Sequence, residues 1–350
     1  MAPRFSVLLP THNRADVLGY AIESVLRQTE QDFELLVVGD GCTDSTADVV
    51  NAYADPRIRW FDLPKAPNFG YANRNIALKR ARGDLIAFMA HDDIVFDDHL
   101  ALLAATIEET GAEWAYSRPL WVGIDGEVIV YSMNLENSSE LDVFLTRRNT
   151  IPATCVLHRR LCFDKYGYWP EDAPKLGDWE LWKRIIEGGG RSNFAHCSEP
   201  TCLHFVADWR RESWTPSSLA PEDRLIVTSL SIPAGRTEQQ VFAEAITSQD
   251  SNFVCNLRQQ ARRTVDRLAW RAVVSLVPHN EKMVAASRAA EKAAEKEQKR
   301  ALRQAERLTR LEKKAALLEH ELAAVHRSAS WRITAPLRAI KRVLFRGKTG

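Results

Sequence analysis

Two adjacent carboxylates, Asp92 and Asp93, close the segment that begins with the apolar run Leu85 to Met89. Side by side they repel each other unless a cation or a donor-rich ligand satisfies them. A hard divalent ion takes one or two carboxylates together with phosphate oxygens, and this pair can do that chemistry. Asp92, Asp93, Asp97 or Asp98 can equally cap a helix running from about His99 to Thr110. Asp40, after another apolar run, can accept from the imide N–H of a uracil or thymine base, or serve as a turn acid; Asp44 reads more readily as a cap. Arg74, between Asn73 and Asn75, carries a guanidinium suited to a diphosphate, or to a surface carboxylate. Asp178, in Gly177-Asp-Trp-Glu-Leu-Trp182, stands at a helix start, where a general base can be held near an acceptor hydroxyl. Trp179 and Trp182 offer apolar faces for sugar rings; the alternative is that Asp178 caps the helix and the tryptophans are core. His196, Cys197, Cys202 and His204 lack the spacing of paired zinc knuckles, and read as buried cysteines with one functional histidine. No glycine-rich dinucleotide fingerprint, P-loop or Gly-x-Ser-x-Gly elbow occurs.

Something must hold these groups together. Phe5-Ser-Val-Leu-Leu9 predicts a buried strand that stops at Pro10, and Ala15 to Gln28 a helix with its apolar residues on one face. Phe33 to Val38 predicts a second strand, followed by a capped helix to about Tyr53. Ile58 to Phe61, Ala72 to Arg82 and Leu85 to Met89 continue as strand, helix and strand. This alternation predicts an α/β domain whose Rossmann-like sheet is mainly parallel and flanked by helices. Ligands of such sheets sit beyond the carboxyl ends of the strands. The clusters Thr11 to Arg14, Asp40 to Asp44 and His91 to Asp93 fall at those ends, which places a site on one rim.

A formal net charge of +1 over 350 residues speaks against a nucleic-acid binder. Six cysteines are too few for a disulfide framework at this length and read as reduced thiols of a cytosolic protein. The apolar start is broken at once by His12, Asn13 and Arg14, unlike a secretory signal. No run approaches the roughly 18 apolar residues of a bilayer span, so any membrane contact is expected to be peripheral.

In order along the chain, the motifs resemble those of the family 2 glycosyltransferases, which have the GT-A fold. They are Pro10-Thr-His-Asn-Arg14, Gly39-Asp-Gly-Cys-Thr-Asp44, Asn68-Phe-Gly70 with Arg74-Asn75, His91-Asp-Asp93, Ile151-Pro-Ala-Thr, Arg159-Arg160 to Gly167, Gly177-Asp178 and His204. The likeness covers about residues 4 to 210. It implies inverting transfer of a sugar, hexosyl or deoxyhexosyl, from a nucleotide-sugar donor to an acceptor hydroxyl. Pro10, Thr11, Asn13, Arg14, Asp40, Asn68, Arg74 and Asp92 would then bind the donor. Asp93, with Asp92 and His204, would hold Mg²⁺ or Mn²⁺. Asp178 would be the base, with Trp179, Glu180 and Trp182 on the acceptor side. The chain departs from the family pattern at three places: Gly39 and Cys42 in the second motif, Ala90 and His91 before the acidic pair, and Gly177 before the base.

The expected organisation is a transferase domain over 1–215, divided into a nucleotide-sugar half (1–112) and an acceptor half (113–215). A helical extension over 216–280 follows, then a coiled coil over 281–328 and a basic amphipathic tail over 329–350. Leu308, Leu311, Ala315, Leu318, Leu322 and Val325 give the heptad seam of a homo-oligomer. From Trp331 to Gly350 there are six basic residues and no acid, as in a helix lying on an anionic membrane. Similar tails occur on bacterial glycosyltransferases of surface-polysaccharide assembly, which implies a glycan or lipid-linked glycan acceptor at the inner face of the cell membrane. The rival readings are a nucleotide-sugar pyrophosphorylase or hydrolase, and a degenerate scaffold acting through its coiled coil.

Overall fold

The computed structural model describes residues 2–122, 127–130, 134–205, 226–229, 251–327 and 334. The chain divides into two compact units, Met1–Ala269 and Trp270–Gly350.

The first unit is built on the expected alternation: β1 (Phe5–Thr11), α1 (Leu18–Leu26), β2 (Phe33–Asp40), α2 (Thr46–Asn51), β3 (Ile58–Leu63), α3 (Tyr71–Leu78) and β4 (Leu85–Phe88). β1 lies between β2 and β4, and β2 runs on to β3, all parallel. Every residue of β2 is buried, the mark of an interior strand covered on both faces. Each large apolar side chain so buried contributes about 1.5–3 kcal/mol.

Beyond β4 the pairing changes direction. The remaining elements are β5 (Asp93–Val95), α4 (His99–Thr110), β6 (Trp114–Val122), β7 (Glu127–Val130), α5 (Ser138–Thr146), β8 (Val156–Arg159), α6 (Leu161–Tyr166), α7 (Gly177–Gly189), β9 (Phe194–Phe205), β10 (Ile226–Ser229) and α8 (Ser251–Arg327). The strands run in the order β10-β7-β6-β8-β4-β1-β2-β3. From β4 to β10 each neighbour is antiparallel. β9 pairs with β6 in parallel and with β5 in antiparallel, which sets His204 opposite Asp93. The sheet is therefore mixed, parallel only through its first half and along β6 and β9.

The stretch 216–280 is not wholly helical, because β10 extends the sheet edge before α8 begins. The first turns of α8 belong to the sheet unit: Leu257 and Ala261 are buried with Ile94, Phe96 and Leu203. Arg258 donates to both Asp98 oxygens at 2.6 and 2.7 Å. α8 continues unbroken through the stretch expected as a coiled coil, and the basic tail lies, Thr334 apart, outside the described residues. Among the described residues no helix is long and apolar enough to cross a membrane.

Candidate active site

The acidic pair leaves β4 through Ala90 and His91 and re-enters the sheet as β5. Asp93 is wholly buried. Its carboxylate accepts from Thr154 Oγ1 at 2.5 Å, from the Phe205 amide at 3.2 Å, and faces His204 Nδ1 at 2.9 Å. Neither acid caps α4: Asp98 occupies the cap position and gives its carboxylate to Arg258. Asp92 is the more open acid, with Arg14 Nη1 3.9 Å away. His91 Nδ1 lies 3.3 Å from the Pro10 carbonyl, and burial holds the imidazole below its ordinary value despite Asp92 beside it.

A cavity of about 600 Å³ opens above these residues. Pro10, Arg74, Asp92, Asp93, Asp178 and His204 all line it, so six of the expected site residues face one space. Asp178 does not cap α7, which begins without a side-chain cap. Its Oδ1 accepts from the Trp169 indole N–H at 2.7 Å and lies 3.5 Å from Arg74 Nη1. The Arg74 guanidinium stacks over Tyr71 and Trp169, at 5.0 and 5.9 Å from the ring centroids. Its Nε is buried without a hydrogen-bond partner. A buried cationic donor left unmatched at a cavity wall suits an anionic ligand.

Several expected residues are used elsewhere. Asp40 takes the Ala66 amide at 2.8 Å, Asn73 Nδ2 at 2.7 Å and the Lys65 ammonium. Burial pushes its carboxyl up, but these donors together hold it below the ordinary carboxylate value. Asn13 clamps the loop after β2, accepting from the Thr43 amide at 2.7 Å. Asp44 accepts from the amides of Ala15 and Thr46, as a cap would. Thr11, Asn13, Arg14, Asp40 and Asn68 do not line the cavity, although Thr11 leaves a buried hydroxyl unpartnered at the end of β1.

Of the acceptor-side expectations, the one for Trp182 needs correction. Trp182 is fully buried, stacked on Trp114 at 6.3 Å, with its N–H donated to His158 at 3.0 Å; it is core. Trp179 turns its N–H to the Phe144 carbonyl, and Glu180 pairs with Lys183. Neither lines the cavity, because α7 presents Asp178 to it and its following residues elsewhere. The cavity's aromatic wall comes instead from Phe69, Tyr71, Trp121 and Trp169.

Two departures from the family pattern have a steric cause. A side chain at Gly39 would enter the Trp60 ring, and a Cβ at Gly177 would come within 2.5 Å of the Tyr71 ring. Aromatic rings fill the space that acids would need.

A divalent cation bound with a nucleotide takes one or two carboxylates and completes its shell with phosphate and water oxygens. Asp92 meets that demand. Asp93 already serves Thr154, His204 and Phe205 through its two oxygens, so Asp92 is the more open of the two acids. Asp92, Asp93 and His204, which all line the cavity, are the residues that would hold such a cation.

Residues 6–165 match the family model described as Glycosyl transferase family 2. A PGL/p-HBAD biosynthesis glycosyltransferase of Mycobacterium bovis is 33% identical over 185 residues, covering 51% of this chain and 68% of that protein. An uncharacterised glycosyltransferase of Rickettsia felis is 37% identical over 107 residues, 30% of this chain and 17% of the relative. Among solved structures, S. aureus TarS 1-349 in complex with UDP-GlcNAc superposes with a TM-score of 0.49 at 21% identity. That match covers 59% of each chain, so this chain spans less than two thirds of the TarS fragment.

Proposed function

Because the chain belongs to glycosyl transferase family 2, we infer that it transfers a sugar, hexosyl or deoxyhexosyl, from a nucleotide-sugar donor to an acceptor hydroxyl with inversion. The observation that carries this reading is one cavity lined by a carboxylate, Asp178, by Arg74, whose Nε has no hydrogen-bond partner, and by the acids Asp92 and Asp93.

In this reading Asp178 accepts the proton of the acceptor hydroxyl while the oxygen attacks the anomeric carbon. The bond from that carbon to the diphosphate oxygen breaks, and its electron pair leaves with the nucleoside diphosphate. Arg74 takes up the charge that grows on the phosphates, in a site walled by aromatic rings where such contacts are strong. Trp169 holds the Asp178 carboxylate in place. A Mg²⁺ or Mn²⁺ ion at Asp92 would supply further positive charge to the departing phosphates. The acceptor in this reading is a bacterial surface glycan or its lipid-linked precursor, met at the inner face of the cell membrane by the basic tail. The exposed seam of α8 joins copies of the chain.

The test pairs two readouts on wild type and Asp178→Asn: thermal stabilisation by a panel of nucleotide sugars with Mn²⁺, and transfer to acceptor. One donor is expected to raise the melting temperature of both proteins equally by mass action. Transfer should fall by about 10²–10⁴-fold in the variant. A folded wild type stabilised by no nucleotide sugar defeats the reading, and undiminished transfer by the variant defeats Asp178 as base.

A further inference from the structure

The C-terminal unit carries a surface that the catalytic reading leaves unused. Leu308, Leu311, Ala315, Leu318 and Leu322 follow one another on α8 at spacings of 3, 4, 3 and 4, and so form a single stripe. The four leucines are exposed, by 59% at Leu308 and 55% at Leu322. In a seven-residue frame Leu308, Ala315 and Leu322 take position a, and Leu311 and Leu318 position d. Arg307 and Lys314 then stand at g on one flank, Glu312 and Glu319 at e on the other.

The charges on those flanks decide what covers the stripe. Within one helix a charge is matched by residues three or four positions away. At those offsets Arg307 and Lys314 meet only arginine, glutamine or leucine, and Glu312 and Glu319 meet only leucine, alanine or threonine. Elsewhere the same helix does pair its charges, as Lys299 with Glu295 at 2.7 Å. The four flanking charges make no ion pair among the described residues, yet g and e five positions on are the sites that meet across two parallel strands. There Arg307 would face Glu312 of the second copy, and Lys314 its Glu319, each pair formed twice. An antiparallel pair would set e against e and g against g, bringing like charges together. Ala315 narrows the middle of the stripe, which suits the close approach of two helices; three around one axis would leave a gap at that layer.

We propose that this segment of α8 pairs with the same segment of a second copy of the chain, parallel and in register, as a two-stranded coiled coil. The inference does not depend on the catalytic reading.

Sedimentation equilibrium of the full chain should give twice the 39.6 kDa chain mass. Arg307→Glu and Glu312→Arg each set like charges opposite one another and should each weaken the dimer about tenfold. The double variant R307E/E312R exchanges the two charges and should restore near wild-type affinity, because only the parallel, in-register pairing makes them partners. Sugar transfer to a soluble acceptor, measured on the same samples, should not change in any variant, which keeps failure of this proposal distinct from failure of the catalytic one. A monomer at all concentrations, a trimer mass, or a double variant no tighter than the weaker single would overturn the proposal.

Discussion

Arg74 lies 104 residues from Asp178 and Trp169 nine, and one Asp178 carboxylate oxygen gathers both. The acids were legible in the sequence because each sits at a strand or helix end, where an unmatched charge needs a reason, and the arginine because it stands between two asparagines on the helix that leads to the acidic strand. The indole that steadies Asp178 was not, because nothing in local spacing tells a tryptophan that donates to a site from one that fills a core. The same limit produced the opposite error at Trp182, whose helical position beside Asp178 is also a core position. Gly177 is the residue-scale detail with a measurable cost. Its amide donates to the Tyr71 hydroxyl at 2.8 Å, and the ring of that buried tyrosine occupies the volume of any added Cβ. Gly177→Ala should therefore lower stability by about 1–3 kcal/mol through overpacking. The cost should nearly vanish in a Tyr71→Ala background, since the two sites share one contact. Urea unfolding of the four proteins measures this, and equal costs in both backgrounds would show that the ring is not the obstacle.

At the scale of elements, the parallel half of the sheet was readable and the antiparallel half was not. β1, β2 and β4 are short apolar runs ended by polar loops, and a buried parallel strand looks like that wherever it occurs. The rest depends on register between distant segments. β9 lies along β6 with two shifts, and only that pairing and the one with β5 bring His204 to Asp93. No periodicity records such a register. The packing of these elements also buries histidines. Burial lowers His158 to about 3, His99 to about 4 and His196 to about 4, from an ordinary value of 6.5. His158 is neutral by design of its contacts: Nε2 accepts from Trp182, while Nδ1 faces the Ile86 carbonyl at 3.4 Å. Each folded value is depressed, so the unfolded chain binds more protons as pH falls below 6.5. Stability is then full above pH 6.5 and drains toward pH 4, by about 1.4 kcal/mol per pH unit for each histidine. Denaturant unfolding between pH 7 and 4.5 should show that slope. His158→Gln, which keeps an acceptor for Trp182, should remove one histidine's share of it; an unchanged slope would assign the acid sensitivity to other groups.

The whole molecule joins a site-bearing unit to a long helix with an apolar stripe, followed in sequence by a tail rich in arginine and lysine. Between Trp331 and Gly350 the sequence holds Arg332, Arg338, Lys341, Arg342, Arg346 and Lys348 and no aspartate or glutamate. Near an anionic surface each basic side chain contributes about 1 kcal/mol, an attraction that salt screens. In the proposed attachment, one such tail would bind reversibly. Two tails joined by the proposed dimer would be tethered to each other, and the second would then bind as an intramolecular step at high effective concentration. Dimerisation and membrane attachment should therefore be coupled, which neither segment alone implies. In flotation with vesicles of anionic lipid, wild type should rise with the lipid, and a chain lacking residues 331–350 should stay behind. Arg307→Glu, with its tail intact but its dimer weakened, should need about 10²-fold more lipid to reach the same fraction bound. The charge-exchanged double variant should float like wild type. If the single variant floats as well as wild type at protein concentrations where it is monomeric, one tail is enough, and the coil serves assembly without serving attachment.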